Sequence, residues 1–217
     1  MEKIKIAVSP SDQRKNIYNG QDTNEMAQMR KVGERLVESL IRCGFEVVYL
    51  PEGLLKNRVA KANAENVDAY LALHTNAYDT TVRGIRTHHF PSREGKKLAS
   101  AINNQLAMIY TGTTRAFLVE STTLYELKWP VAPACLPEIG FHDNAIDAEW
   151  IVNNTDNIAE ALCKGVCDYF RVPYVSHETI LYCVQVGAFS VRENAENMLK
   201  TVKIDYPNAF IKEVKKA

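Results

Sequence analysis

Apolar positions follow two different spacings along this chain. Short apolar runs at 3–8 and 45–50 predict β-strands, and the first of them alternates with charged residues. Between them, residues 24–43 carry apolar side chains every three or four positions and stop before Gly44, which predicts an amphipathic helix. The later segments repeat this rhythm as a helix at 54–67, a strand ending at His74, a strand at 84–90, a helix at 93–110, a strand at 132–141 and a helix from about 147 to 170.

This order of elements predicts an α/β fold, with a mostly parallel twisted sheet flanked by helices. Functional sites of such sheets gather where the strands end and the loops begin. Three predicted strands are followed by polar residues at that end, so we expect their loops to form a common site.

The C-terminal part is predicted to be a small separate βαβ unit. We expect a main domain over residues 1–172, a linker over 173–179 in which Pro173 breaks the preceding helix, and an appendage over 180–217. A unit this short buries little apolar surface alone. It should therefore pack on the main domain or pair with a second copy, giving a homodimer.

Composition narrows the range of partners. Lys and Arg number 26 and Asp and Glu number 26, so there is no basic excess of the kind that favours nucleic acid. No apolar run approaches the about 20 residues that cross a bilayer, so we expect no membrane insertion. The first residues, MEKIKIAVSPS, have the pattern of a strand and not of a signal peptide, which predicts synthesis in the cytoplasm without an export signal.

The cysteines give only a weak indication of a metal site. Cys163 and Cys167 stand four residues apart and share one face of the last predicted helix, a spacing that suits a metal, but no second Cys or His pair lies near them in the sequence. We interpret them as small buried residues of a reduced protein. The five cysteines are Cys43, Cys135, Cys163, Cys167 and Cys183.

The residues that could carry chemistry are Glu25, His74 and Glu138. Glu25 opens the first long helix, and His74 ends a predicted strand. Glu138 lies between apolar neighbours in CLPEIGF, where a buried carboxylate needs a partner or an open cleft. Glu and His both bind zinc, and a catalytic zinc takes three protein ligands and one water. Structural interpretations remain open, since Glu25 also suits the helix dipole and His74 a satisfied strand end.

A series of short motifs follows one another along the chain. They are KAN (61–63), VDAYLALHTNA (67–77), GKKLASAINNQL (95–106), LYEL (124–127) and APACLPEIGFHDN (132–144). Their order resembles the Amidase_3 family of zinc-dependent N-acetylmuramoyl-L-alanine amidases. The resemblance runs from about residue 3 to residue 170 and is densest around His74 and Glu138.

The resemblance implies a Zn²⁺ cofactor, with Glu25 and His74 as ligands and Glu138 as the catalytic carboxylate. The implied substrate is peptidoglycan, cut between N-acetylmuramic acid and L-alanine. The family's first ligand is a His in a DPGHGG-like turn, whereas this chain has SPSDQ, which places Asp12 at that position. Asp12 is therefore the expected replacement ligand. Gln13 and Asn16 are weaker candidates for that ligand. Of the adjacent His88 and His89, at most one can face the cleft. His142 is expected either to support a ligand from behind or to contact the substrate.

The tail, with VQVGAF followed by an amphipathic stretch, resembles the first half of a SPOR repeat, a fold that binds cell-wall glycan. Together these features predict a wall amidase acting after release from the cell, as an endolysin or an autolysin. Two alternatives stay open: a catalytically silent wall-binding protein on an amidase scaffold, and a zinc hydrolase of another amide.

Overall fold

Six strands form the central sheet of the first of two compact units. A computed structural model describes residues 3–112, 116–177 and 184–214, and the chain divides into the units Met1–His177 and Glu178–Ala217. The strands are β1 (Lys5–Pro10), β2 (Glu46–Tyr49), β3 (Ala69–Asn76), β4 (Arg86–His89), β5 (Phe117–Glu120) and β6 (Ala134–Phe141).

The sheet has the order β2-β1-β3-β6-β4-β5. Its pairs are parallel except β4 with β6, which is antiparallel. The predicted α/β class with a mostly parallel sheet is confirmed. Because β1, β3 and β6 are neighbours and parallel, their carboxyl ends lie side by side at one edge.

The helices of this unit cover both faces of the sheet. Their bounds are α1 (Glu25–Arg42), α2 (Leu55–Ala64), α3 (Arg93–Ile109), α4 (Tyr125–Lys128), α5 (Ala145–Asn153) and α6 (Thr155–Phe170).

Alternate residues of each buried strand face opposite helical layers. In β3, Leu71 and Leu73 belong to the larger core, which includes the buried faces of α1, α3 and α6. Tyr70 and Ala72 belong to a smaller core built with α2 and α4. Burial on both faces explains why the middle of β3 is a continuous apolar run.

Two features differ from the sequence prediction. The single helix expected from 147 to 170 is two helices, because Asn154 interrupts it: its backbone N–H donates to the Ile151 carbonyl and its side chain to the Trp150 carbonyl, 2.8 Å away. Such side-chain bonding competes with the helical ladder. The apolar stripe continues across the break, so periodicity alone did not reveal it. The short elements β5 and α4 were also missed.

The second unit contains helix α7 (Arg192–Asp205), close to the predicted helix. The flanking segments 184–189 and 208–214 are not assigned as strands, and residues 180–183 of the predicted first strand, with Cys183, lie outside the described residues. Two short strands gain little without a partner sheet, which accounts for the difference. In the part of the chain that is described, none of the helices combines the length and apolarity needed to span a membrane.

Candidate functional site

Two of the predicted residues, Glu25 and His74, are in direct contact at the carboxyl ends of the central strands. Glu25 is the first residue of α1, held there because Asn24 caps the helix by accepting from the Ala27 N–H at 2.9 Å. His74 is near the end of β3, and its Nδ1 lies 3.0 Å from Glu25 Oε1. The loop after β1 therefore returns a fully buried carboxylate to the end of β3.

A second carboxylate lies on the other side of the His74 ring. His74 Nε2 is 3.1 Å from Glu126 Oε2, and Glu126 comes from the short helix α4. Burial alone would lower the pKa of His74, but hydrogen bonds with Glu126 and Glu25 raise it to about 9. At neutral pH the metal-free ring therefore carries both protons and donates to both carboxylates.

The two carboxylates stay ionised for the same reason. Burial alone would raise the pKa of Glu25 and of Glu126, but the hydrogen bond and charge of His74 bring both below the ordinary value. Glu126 is only 2% exposed, and its Oε1 accepts from Ser9 Oγ at 2.6 Å and from the Tyr70 hydroxyl at 2.7 Å. Three side chains, Ser9, Tyr70 and His74, thus donate to this carboxylate.

Glu138 lies on the neighbouring strand, as the register partner of His74. Its Oε2 is 3.1 Å from His88 Nε2 and also accepts from the Asn76 amide. The side chain is 21% exposed, so the carboxylate is both partnered and open to the cleft. His88 is the member of the adjacent pair that faces Glu138. The His89 ring is buried, with Nδ1 2.8 Å from the Phe90 carbonyl.

Asp12 is not brought to His74 by the loop after β1. Its carboxylate, about half exposed, pairs with Arg58 Nη2 at 3.2 Å, an ion pair without hydrogen-bond geometry. The Arg58 side chain is buried, and its Nη1 also donates to Ser9 Oγ at 3.0 Å. Asp12 therefore neutralises Arg58 at the entrance of a buried polar chain that leads through Ser9 to Glu126.

Two other polar residues of the loop after β1 contact Glu25 or His74. Gln13 Nε2 is 3.5 Å from His74 Nδ1, and Asn16 Nδ2 donates to Glu25 Oε2 at 2.6 Å. His142 is buried behind Glu25, with its Nδ1 4.0 Å from Glu25 Oε2. It stacks on the buried ring of Tyr18, and its Nδ1 lies 3.1 Å from Thr75 Oγ1.

Comparison with known proteins agrees with this architecture. The family described as N-acetylmuramoyl-L-alanine amidase, Amidase_3, matches residues 12–168, well over half of the chain. The chain belongs to the Amidase_3 family. The SPOR domain family matches residues 178–217.

The curated proteins that are similar to this chain match it over only part of their own length. The uncharacterized protein YqiI of Bacillus subtilis is 30% identical over 121 residues, 54% of this chain and 58% of YqiI. The N-acetylmuramoyl-L-alanine amidase LytC of B. subtilis is 30% identical over 123 residues, 54% of this chain and 24% of LytC. The chain thus spans less than two thirds of these relatives.

Solved structures show the same fold. The amidase AmiC2 of Nostoc punctiforme superposes with a TM-score of 0.71 at 19% identity, over 78% of this chain and 98% of AmiC2. The CwlD amidase of Clostridioides difficile, solved with the GerS lipoprotein, gives 0.71 at 18% identity, over 78% and 99%. The main unit therefore has the Amidase_3 fold.

The donor atoms at this Amidase_3 site fit two positions of a zinc site. Two ligands of one tetrahedral zinc stand about 3.3 Å apart, given metal bonds of about 2.0–2.1 Å. The 3.0 Å between Glu25 Oε1 and His74 Nδ1 is close to this separation. Asp12 does not supply a third ligand in this arrangement, and the loop instead places the side-chain amides of Gln13 and Asn16 against His74 and Glu25.

A different cluster meets a purely geometric criterion for metal binding. Among the described residues, the one group of three Cys, His, Asp or Glu side chains whose ligand atoms all lie within 4.8 Å of one another is Cys43, Cys163 and Cys167. Cys43 comes from the end of α1, so the fold adds a third sulfur to the spacing seen in the sequence. The sulfurs of Cys43 and Cys163 are 3.6 Å apart. These side chains are buried in the larger core, away from the sheet edge.

Glu126 was missed as a functional residue. The sequence did contain a signal: like Glu138, it is a carboxylate between apolar neighbours, in LYEL, and such a group needs a buried partner. What the sequence did not indicate is that Tyr125–Lys128 forms a helix beside β3.

Proposed function

We propose that this chain is a peptidoglycan hydrolase that cleaves the amide between N-acetylmuramic acid and the L-alanine of the stem peptide. Family membership supports this activity, and LytC, one of the similar proteins, is named for it. The observation that carries the proposal is the pairing of His74 with Glu138 across adjacent strands, with Glu25 against the His74 ring.

Zinc is the proposed cofactor, held by Glu25 and His74. Bound there, it would supply Lewis-acid activation of water and of the scissile carbonyl. The carboxylate of Glu126 behind the ring is consistent with this role, because histidines that bind metal usually donate their other N–H to a carboxylate or carbonyl.

Glu138 is the proposed general base and acid. His88 and Asn76 both contact Oε2, and among the described residues Oε1 has no protein partner, so Oε1 is the atom available to water. We propose that Oε1 takes the proton of the attacking water and returns it to the nitrogen of the leaving L-alanine. His88 and Asn76 fix the carboxylate plane during both transfers.

The test is product analysis with a single substitution. Purified peptidoglycan treated with the protein should release fragments with free N-terminal L-alanine. Glu138→Gln should reduce release by about 100- to 10,000-fold, the usual contribution of a general base, while zinc content stays the same. Glu149→Gln, on the exposed face of α5, is the matched control and should retain full activity.

Three results would contradict the proposal. Full release by Glu138→Gln would remove Glu138 from the mechanism. No release by the wild-type protein, with the fold intact by circular dichroism, would favour the alternative of a silent wall-binding protein. Free amino termini other than L-alanine would indicate a peptidase.

The second unit is proposed to bind the cell wall, from its match to the SPOR family. Within a lysing cell this would concentrate the hydrolase on its substrate, as expected of an endolysin or an autolysin. Self-pairing of the unit stays a prediction, for which light scattering should give twice the 24.4 kDa chain mass. A mass of one chain at micromolar concentration would rule it out.

A further inference from the structure

The Glu126 carboxylate is in direct contact with the proposed metal-binding ring. Its residue is fully enclosed by the short helix α4, the end of β1 and β3. Carboxylates are rarely buried so completely unless they are paired. Glu126 takes no part in the proton transfers proposed for Glu138, so its burial needs a separate explanation.

The chemical groups around Glu126 determine which atom donates each hydrogen bond. Ser9 and Tyr70 both contact Oε1, and their hydroxyl groups can donate to it. Arg58 Nη1 donates to Ser9 Oγ, which orients the Ser9 proton toward Glu126. An ionised carboxylate only accepts hydrogen bonds, so Oε2 must receive its proton from His74 Nε2.

We propose that Glu126 is a positioning residue that keeps the proton of His74 on Nε2 and thereby reserves Nδ1, on the Glu25 side, for the metal ion. This inference rests on the proposed function, because it concerns the same site. It assigns a role to a residue in LYEL that the family resemblance did not assign, and it explains why Ser9, Tyr70 and Arg58 converge behind the ring.

The arrangement also accounts for the ring's orientation. Without an acceptor at Oε2, His74 could exchange the proton between its nitrogens or rotate about χ2, and Nδ1 would no longer be held against Glu25. Outer carboxylates of this kind typically change metal affinity about 10- to 100-fold when removed. A purely structural Glu126 would instead affect stability and leave both tautomer and affinity unchanged.

The experiment compares three variants of the full chain with the wild type. Glu126→Leu removes the acceptor, Glu126→Gln keeps an acceptor oxygen without the charge, and Tyr70→Phe removes one support of Oε1 only. Two readouts are used: the His74 tautomer, from nitrogen chemical shifts of ¹⁵N-labelled protein loaded with zinc, and the dissociation constant for Zn²⁺, from competition with a chelator.

Zinc at the sulfur cluster must be separated from zinc at His74. Cobalt(II) substitution serves this purpose, because thiolate ligation gives charge-transfer bands that nitrogen and oxygen ligation do not. All variants should show cobalt spectra without thiolate bands, as expected for ligation at the sheet edge.

We expect Glu126→Leu to weaken zinc binding about 10- to 100-fold and to lose the single His74 tautomer, whereas Glu126→Gln restores the tautomer and most of the affinity. Wild-type affinity and tautomer in Glu126→Leu would overturn the inference. If Glu126→Leu does not fold, Tyr70→Phe decides it: a measurable loss of zinc affinity or of the single His74 tautomer is expected, and wild-type values for both would overturn the inference.

Failure of the proposed function gives a different result. A protein that binds zinc in a Glu126-dependent manner but releases no L-alanine fragments would retain the role of Glu126 and lose the amidase assignment. Full amidase activity with zinc affinity independent of Glu126 would do the reverse.

Discussion

The pairing of His74 with two buried carboxylates predicts a pH-dependent stability for the metal-free protein. The folded state raises the pKa of His74 from 6.5 to about 9. Each pKa unit is worth about 1.36 kcal/mol, so the protonated ring contributes about 3 kcal/mol to the free energy of unfolding. The ring is mostly buried, with 13% of the side chain exposed, so solvent screens this contribution only weakly.

The sign follows from the direction of the pKa change. A group whose pKa is higher in the folded state binds its proton more tightly there, so its contribution is complete below the unfolded pKa of about 6.5. It declines as the pH rises and is lost above about 9. The free energy of unfolding should therefore fall by about 3 kcal/mol between about pH 6 and pH 10 through His74 alone.

Urea unfolding followed by circular dichroism, with a chelator present, measures this profile. Other groups titrate in the same window: the hydrogen bond with Cys163 lowers the pKa of Cys167 to about 7, which acts with the opposite sign. The His74→Gln variant keeps the cysteine cluster, so the difference between the two profiles isolates His74. Parallel profiles for wild type and variant would refute a protonated ring between Glu25 and Glu126.

Three further predictions concern the scaffold and the metal. A Cβ on Gly165 would lie 2.7 Å from the Ile102 Cα, so Gly165→Ala should cost about 1–3 kcal/mol of stability by overpacking two helices, whereas Lys164→Ala should be nearly neutral in the same thermal unfolding assay. Asp147 is buried and accepts four hydrogen bonds, so Asp147→Ala should lower the free energy of unfolding in urea by at least about 3 kcal/mol. A decrease of less than about 1 kcal/mol would show that water replaces these hydrogen bonds. Cys43→Ala should leave the zinc content of the protein unchanged by elemental analysis, and loss of the ion would place it at the sulfur cluster.

The sequence predicted those features that depend on apolar periodicity. The apolar runs that mark β3 and β6 also place His74 and Glu138 in the carboxyl-terminal halves of these strands, so this part of the site followed from the sequence pattern. Helix α4 has four residues, too few for any periodicity, and its side chain at Glu126 therefore went unassigned. Asp12 was selected by its position in a turn, whereas the folded loop pairs it with Arg58, a contact 46 residues away that no local pattern encodes.

Glu25 comes from the helical layer on one side of the sheet and Glu126 from the layer on the other, and the imidazole ring touches both. The two contacts of the ring therefore depend on the positions of both helical layers relative to the sheet. A substitution deep under α2 or α4 that tilts its layer by a fraction of an ångström would change one of these two contacts and spare the other. Engineered versions of this scaffold should therefore be screened for activity even when every altered residue is remote from the cleft.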